Sequence, residues 1–201
     1  MPEKQLRFFV SAEDAPAKRK ILTAALDLFV QDGLCETSIR DIAGASGFTN
    51  PALFKHFPGK DALALYLFER CYLELYNLIE AAIGSGDTFA DKQEAVVRAY
   101  MKAVDEDRNA VLYVQDNLRR FWPRMPDAVR RHSIAGQVLK LIESGRKESA
   151  VTKTIETGLL AVAWMGALQQ FARARYFGEF KQSSRAIETA LLNLMTRMVE
   201  P

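Results

Sequence analysis

From residue 42 to residue 60 the chain has no acidic side chain, while Lys55, His56 and Lys60 bring two fixed positive charges and an imidazole. Thr49 and Asn50 stand in the same run. A short element of this composition can approach a polyanion, and an Asn amide there can pair bidentately with adenine. This chemistry is recognition and not catalysis. The two histidines, His56 and His132, have no cysteine or carboxylate at catalytic or metal-ligand spacing. The sequence has no glycine-rich phosphate loop and no nucleophile elbow. No catalytic residue, metal ligand or cofactor is therefore expected.

The elements that must position these residues can be read locally. Residues 16–32 predict a helix. Pro16 suits its first turn, Ile21, Ala25, Leu28 and Phe29 recur on one face, and Gly33 follows as a stop. A second helix begins at Thr37 or Ser38. Ser38 and Asp41 have the spacing of a capping box with Asp in place of Glu, and Ile39, Ile42 and Ala43 supply the buried side. Gly44 inside it costs about 1 kcal/mol relative to Ala and has no evident reason in the sequence. Ser46-Gly47-Phe48 reads as a turn, with Gly47 able to take a positive φ and Phe48 able to plug a core. A third helix is expected over residues 49–57, with Thr49 or Asn50 as cap, Pro51 in the first turn, and Leu53 and Phe57 facing inward. Pro58-Gly59 ends it and Lys60-Asp61 opens a long fourth helix. Two short helices joined by a glycine turn, the second polar and free of acid, make the design of a helix-turn-helix reader of DNA.

Gly33, the run Thr37-Ser38-Ile39-Arg40-Asp41-Ile42-Ala43, Gly47, and residues 49–63 with their F-x-H-F-x-x-K tail resemble the TetR/AcrR family of transcriptional regulators. The match covers about the first quarter of the chain. The candidate DNA contacts are Ser38, Arg40, Thr49, Asn50, Ala52, Phe54, Lys55, His56 and Lys60. Four of them have a plainer alternative: Arg40 as a surface charge, Thr49 and Asn50 as caps, His56 as a structural hydrogen-bonder. Phe54 stands where the family most often has Tyr, so a hydroxyl that usually reaches a phosphate is absent, and Lys55 follows it.

The chain has 201 residues, of which 49% are hydrophobic, enough for a headpiece and one larger helical domain without disulfide staples. The net charge of +2 does not by itself argue for nucleic acid. Cys35 and Cys71 are isolated, which suits a reducing cytoplasm and disfavours zinc. The apolar patch Phe8-Phe9-Val10 is too short for a signal core, and no apolar run approaches the roughly 20 residues of a membrane helix.

Residues 1–15 read as an arm, either a tail or a minor-groove finger, and residues 16–58 as the headpiece. Residues 59–201 read as a helical effector-binding and dimerisation domain. Its further helices are expected at about 89–105, 108–122, 126–144, 151–177 and 183–199, with a break at Ser144-Gly145, so the fold class is all-α. Phe68, Tyr72, Tyr76, Tyr100, Tyr113, Trp122, Trp164 and Phe171 read either as ordinary core or as the lining of an apolar small-molecule pocket. The arginine run from Arg119 to Arg131 reads as a solvated face. The last two helices are apolar on more than one side, Leu159, Val162, Ala163 and Gly166 forming one such face. The resemblance implies that they pack against a second copy. The reading as a whole is a homodimeric, ligand-responsive, palindrome-binding regulator, a repressor released by an apolar or aromatic effector. The alternatives are an activator, or a helical ligand-binding protein without DNA binding.

Overall fold

The computed structural model describes Arg7, residues 9–180 and residues 184–201, with the side chains of Ser184 and Arg185 left aside. Residues 1–6 and 8 of the expected arm, and Ser183 at the expected start of the last helix, lie outside the described residues. All regular elements among those residues are helical: α1 (Pro16–Gln31), α2 (Ile39–Ser46), α3 (Asn50–Phe54), α4 (Lys60–Gly84), α5 (Phe89–Phe121), a 3-10 turn (Trp122–Arg124), α6 (Asp127–Arg130), α7 (Ile134–Lys147), α8 (Thr157–Tyr176) and α9 (Ser184–Arg197). The chain divides into two compact units. One takes in the chain up to Glu74 together with Glu106–Val129, and the other consists of Leu75–Asp105 and Arg130–Pro201. Residues 16–58 fall wholly in the first unit, and α4 and α5 each run from one unit into the other.

In the first unit, α1 buries Ile21, Leu22, Ala25, Leu26 and Phe29 on the face that the sequence periodicity marks. Asp32 closes it and Gly33 takes φ +93°, a left-handed conformation that favours glycine. Phe29 stacks on Tyr113 of α5, with centroids 5.9 Å apart. Phe9 and Val10 are buried, and the Phe9 carbonyl accepts from Arg70 Nε at 3.3 Å, so this part of the arm is packed down.

The long helix α5 is kinked at Asp107, whose φ of −152° and ψ of 66° are not helical. The Asp107 Oδ1 accepts from the Ala110 amide at 3.3 Å, the pattern of an N-cap. The two helices expected at 89–105 and 108–122 are thus two segments meeting at a capped break.

In the second unit the expected helix start at 151 is overturned, since α8 begins at Thr157. Its first amides, those of Gly158 and Leu159, are capped by the Glu156 carboxylate at 2.8 and 2.7 Å. The residues before it form a loop, tied by Arg146, whose guanidinium donates to the Thr152 carbonyl at 3.1 Å and also reaches Thr157 Oγ1 and the Ile155 carbonyl. Gly145 does not break the chain either, because α7 runs through it to Lys147. A Cβ there would meet Val151 and the Phe89 ring, the latter at 2.5 Å, so this glycine permits close packing.

Candidate nucleic-acid interface

The turn between α2 and α3 is built by local chemistry. Ser38 Oγ accepts from the Asp41 amide at 3.2 Å, and the Asp41 carboxylate accepts from the Ser38 amide at 2.8 Å, a complete capping box. The Ser38 bonds hold the Asp41 carboxyl below its ordinary range. At the other end Gly47 takes φ 76°, and the Phe48 amide donates back to the Ala43 carbonyl at 2.9 Å. Phe48 itself is half-buried.

α3 is shorter than the expected 49–57, ending at Phe54. Thr49 holds the N-cap position without a side-chain hydrogen bond, and Pro51 lies in the first turn. Leu53 and Phe57 are buried. The remaining side chains of the segment point outward: Thr49, Asn50, Phe54, Lys55 and His56 are exposed and Ala52 is half-buried. Ser38 and Arg40 on α2 are exposed as well. The sequence run without acids is therefore also a solvent-facing surface.

Lys60 is placed differently from its exposed companions. Its Nζ donates to the carbonyls of Leu34 at 2.8 Å, Cys35 at 3.1 Å and Thr37 at 2.7 Å. The ammonium ties the start of α4 to the loop before α2. Thr37 is buried there, its hydroxyl donating to the Gly33 carbonyl at 2.9 Å. Nothing local in the sequence signals the lysine's partners, which lie 23 to 26 residues away. The same holds for Arg124. It forms a two-pronged pair with Asp61 at 3.0 and 2.5 Å, and Arg120 lies 3.6 Å from the same carboxylate. These arginines are exposed, as expected of a solvated face, and from there Arg124 and Arg120 also pair with the first turn of α4 and hold the Asp61 carboxyl low.

Residues 21–67 match the family model described as bacterial regulatory proteins, tetR family. Over this stretch, which holds most of α1, all of α2 and α3 and the start of α4, the chain is similar to the TetR family. Similar proteins include the HTH-type transcriptional repressor KstR2 of Rhodococcus jostii, 28% identical over 102 residues, which are 51% of this chain and 50% of that protein. The HTH-type transcriptional regulator AcrR of Shigella flexneri is 30% identical over 110 residues, 50% of this chain and 47% of AcrR. The chain thus spans about half the length of these relatives. Its fold is shared over nearly its whole length with the ketosteroid transcriptional regulator KstR2 of Mycobacterium tuberculosis, at a TM-score of 0.82, 16% identity, and coverage of 96% of this chain and 99% of that one. FadR of Bacillus subtilis, solved in complex with stearoyl-CoA, gives a TM-score of 0.73 at 15% identity, covering 90% of this chain and 98% of FadR.

The aromatic residues singled out as effector candidates divide between the units. In the first, Phe68, Tyr72 and Tyr113 are buried and Trp122 is half-buried. Tyr72 packs against Phe68 at 5.9 Å and Trp122 at 4.8 Å, and the Tyr113 hydroxyl donates to the Ala64 carbonyl at 3.0 Å. In the second, Tyr100, Trp164 and Phe171 are buried and Tyr76 is half-buried, its ring edge-on to His132 at 5.0 Å. Trp164 Nε1 is fully enclosed without a hydrogen-bond partner among the described residues. Phe171 lines an apolar crevice of about 300 Å³ with Phe180, Ile187, Ala190, Leu191 and Leu194.

One face of α8 and part of α9 carry large apolar side chains in solvent: Leu159 at 61% exposure, Val162 at 62% and Leu194 at 54%. Ala163 is exposed between them and Gly166 is half-buried. Among the described residues no group of histidine, cysteine or carboxylate side chains could hold a metal ion, and no helix is long and apolar enough to cross a membrane.

Proposed function

We propose that the protein is a homodimeric transcriptional repressor of the TetR family that binds a palindromic DNA operator and is released by an apolar or aromatic small molecule. The observation that carries the reading is the outward face of α3. Leu53 and Phe57 fix the helix to the core, while Asn50, Phe54, Lys55 and His56 face solvent without an acid among them. In this reading Arg40, Thr49, Asn50, Ala52, Lys55 and His56 are the candidate readers of base edges in the major groove. The positive charge of Lys60 and the N–H groups at the helix caps lie toward the phosphates, contacts that set register and carry no sequence information. The exposed capping residues and the absence of carboxylates oppose the alternative of a ligand-binding protein that has no DNA partner.

The second copy is assigned to the exposed face of Leu159, Val162, Ala163 and Leu194. Two headpieces brought together this way would reach half-sites about one helical turn apart, roughly 34–36 Å, or a somewhat larger spacing. The effector is assigned to the aromatic cores built on α4 and α8. Two proteins of similar fold are in keeping with this, since one is named a ketosteroid transcriptional regulator and another was solved with stearoyl-CoA, a molecule with a long apolar chain. Such a regulator would work in the cytoplasm.

The test is binding to the DNA upstream of the protein's own gene, against a random duplex of equal length. Affinity for the cognate site should fall steeply with salt, because neutralised phosphates release counterions. Equal affinity for both duplexes at every salt concentration would defeat the reading. Hydrophobic compounds that raise the melting temperature should weaken operator binding, and operator should weaken each compound by the same factor.

A further inference from the structure

Phe54 is the feature of α3 that a purely electrostatic account leaves unexplained. The core beneath the helix is already filled by Leu53 and Phe57, both buried, and Phe54 is left at 50% exposure. It has no polar atom, so it can neither hydrogen-bond a base edge nor reach a phosphate oxygen. Asn50 and Phe54 are four apart in one helix and therefore lie one above the other on the same outward stripe. The surroundings are compatible with a polyanion, since no carboxylate occurs from residue 42 to residue 60 and Lys55 and His56 follow directly.

Resting on the DNA-binding reading above, we propose that Phe54 is a specificity-determining residue that reads the C5-methyl group of a thymine in the operator. The major groove offers a methyl on T·A pairs alone, and apolar side chains recognise it by contact. The position follows from helix geometry. Four residues rise about 6 Å along α3, and base pairs stack about 3.4 Å apart, so the thymine lies one or two base pairs from the base that faces Asn50. The chain therefore favours an A or T at a defined place in each half-site, without any hydrogen bond to it.

The experiment selects the tightest duplex from a random pool with the wild-type protein, then replaces each thymine in turn with deoxyuridine, which deletes only the methyl. Burying one methyl corresponds to about fourfold in affinity. Wild type should lose about fourfold at one thymine per half-site and little elsewhere. Phe54→Ala should bind the selected duplex more weakly and be indifferent to that same replacement, while Phe54→Leu should retain part of the sensitivity. The half-exposed position makes the Ala variant's melting temperature an internal control, expected to stay near wild type. If no deoxyuridine weakens the wild type, or if Phe54→Ala keeps the wild-type sensitivity at every position, the proposal is overturned. An equal loss by Phe54→Ala on selected and random duplexes would place the ring on the sugar–phosphate backbone and overturn it as well. Failure of the regulator reading has another appearance, in that no duplex is enriched in the selection, and Phe54 then has no thymine to read.

Discussion

Arg7 and Asp107, 100 residues apart, are joined through both carboxylate oxygens: Arg7 Nε donates to Oδ2 at 2.6 Å and a second guanidinium nitrogen reaches Oδ1. The third nitrogen donates to Asp27 of α1 at 2.6 Å, and Asn109 donates to the same Asp27 oxygen at 2.8 Å. Asp107 also caps the second segment of α5, so one arginine of the arm supports the place where that helix restarts.

Removing Arg7 should leave a buried carboxylate without its counter-charge. Arg7→Met is expected to lower unfolding free energy by about 3 kcal/mol, toward the low end for breaking a buried pair because the arginine is partly exposed. Asp107→Asn, which keeps a capping oxygen and removes the charge, should cost less. Urea denaturation of both variants and of the double variant checks this. Equal stability of Arg7→Met and wild type would mean that the pair is energetically idle.

Two glycines make opposite predictions. Gly44 is exposed in the middle of α2, and a Cβ there meets nothing within 4 Å. Gly44→Ala should raise stability by up to about 1 kcal/mol. Gly145→Ala should lower the melting temperature, because Val151 and Phe89 occupy the space its methyl needs. Calorimetry on the two variants reads both signs.

Lys55 and Lys60 should separate in a paired measurement. Lys55→Ala is expected to reduce the salt dependence of operator binding by about one unit and leave the fold alone. Lys60→Ala removes three hydrogen bonds to loop carbonyls, so it should lower stability as well as affinity. A Lys60→Ala protein that melts like wild type would show that the loop holds itself.

Val162→Lys and Leu194→Lys place charges on side chains already in solvent, so each variant should fold and yet sediment as a monomer with weakened operator binding. Leu191, also apolar on α9, is unsuitable for this purpose because it is buried. If both variants remain dimeric, the self-association surface lies elsewhere.

Acid should weaken the protein modestly through its caps and ion pairs, which are solvent-exposed. Hydrogen bonds from Ser38 hold the Asp41 carboxyl low, Arg124 does so for Asp61, and the amides of Gly158 and Leu159 do so for Glu156. A carboxyl with a lower pKa in the folded state contributes stability above its unfolded value, near 4, and loses it as pH falls through the folded value. The melting temperature should thus change little from about pH 7 to 5 and fall below about pH 4. Ser38→Ala should flatten part of that fall.

What could be read from sequence was local. The Ser38–Asp41 box, the turn at Gly47, the inward Leu53 and the helix restart near residue 108 all depend on residues a few positions apart, where backbone geometry fixes who meets whom; the Asp107 cap at that restart was not read. Partners set by tertiary folding were not legible: Lys60 to the loop before α2, Arg124 to Asp61, Arg7 to Asp107. Gly145 misled for the same reason. Its glycine signature suggests a chain break, whereas the need for it comes from Phe89, more than fifty residues away in the chain. The start of α8 was placed too early because Val151 and Thr152, though apolar or β-branched and buried, serve a loop that Arg146 ties down.

The different settings of the two cysteines give the native protein a built-in chemical reporter. Cys35 is exposed, in the loop whose carbonyls Lys60 holds, and Cys71 is buried in α4, where burial pushes its thiol well above the ordinary range. A maleimide dye added to folded protein should attach once, beside the DNA-facing motif, and a second equivalent should react only as the chain opens. The same two thiols would thus carry a fluorophore that senses operator binding and a timer for unfolding, without altering a residue.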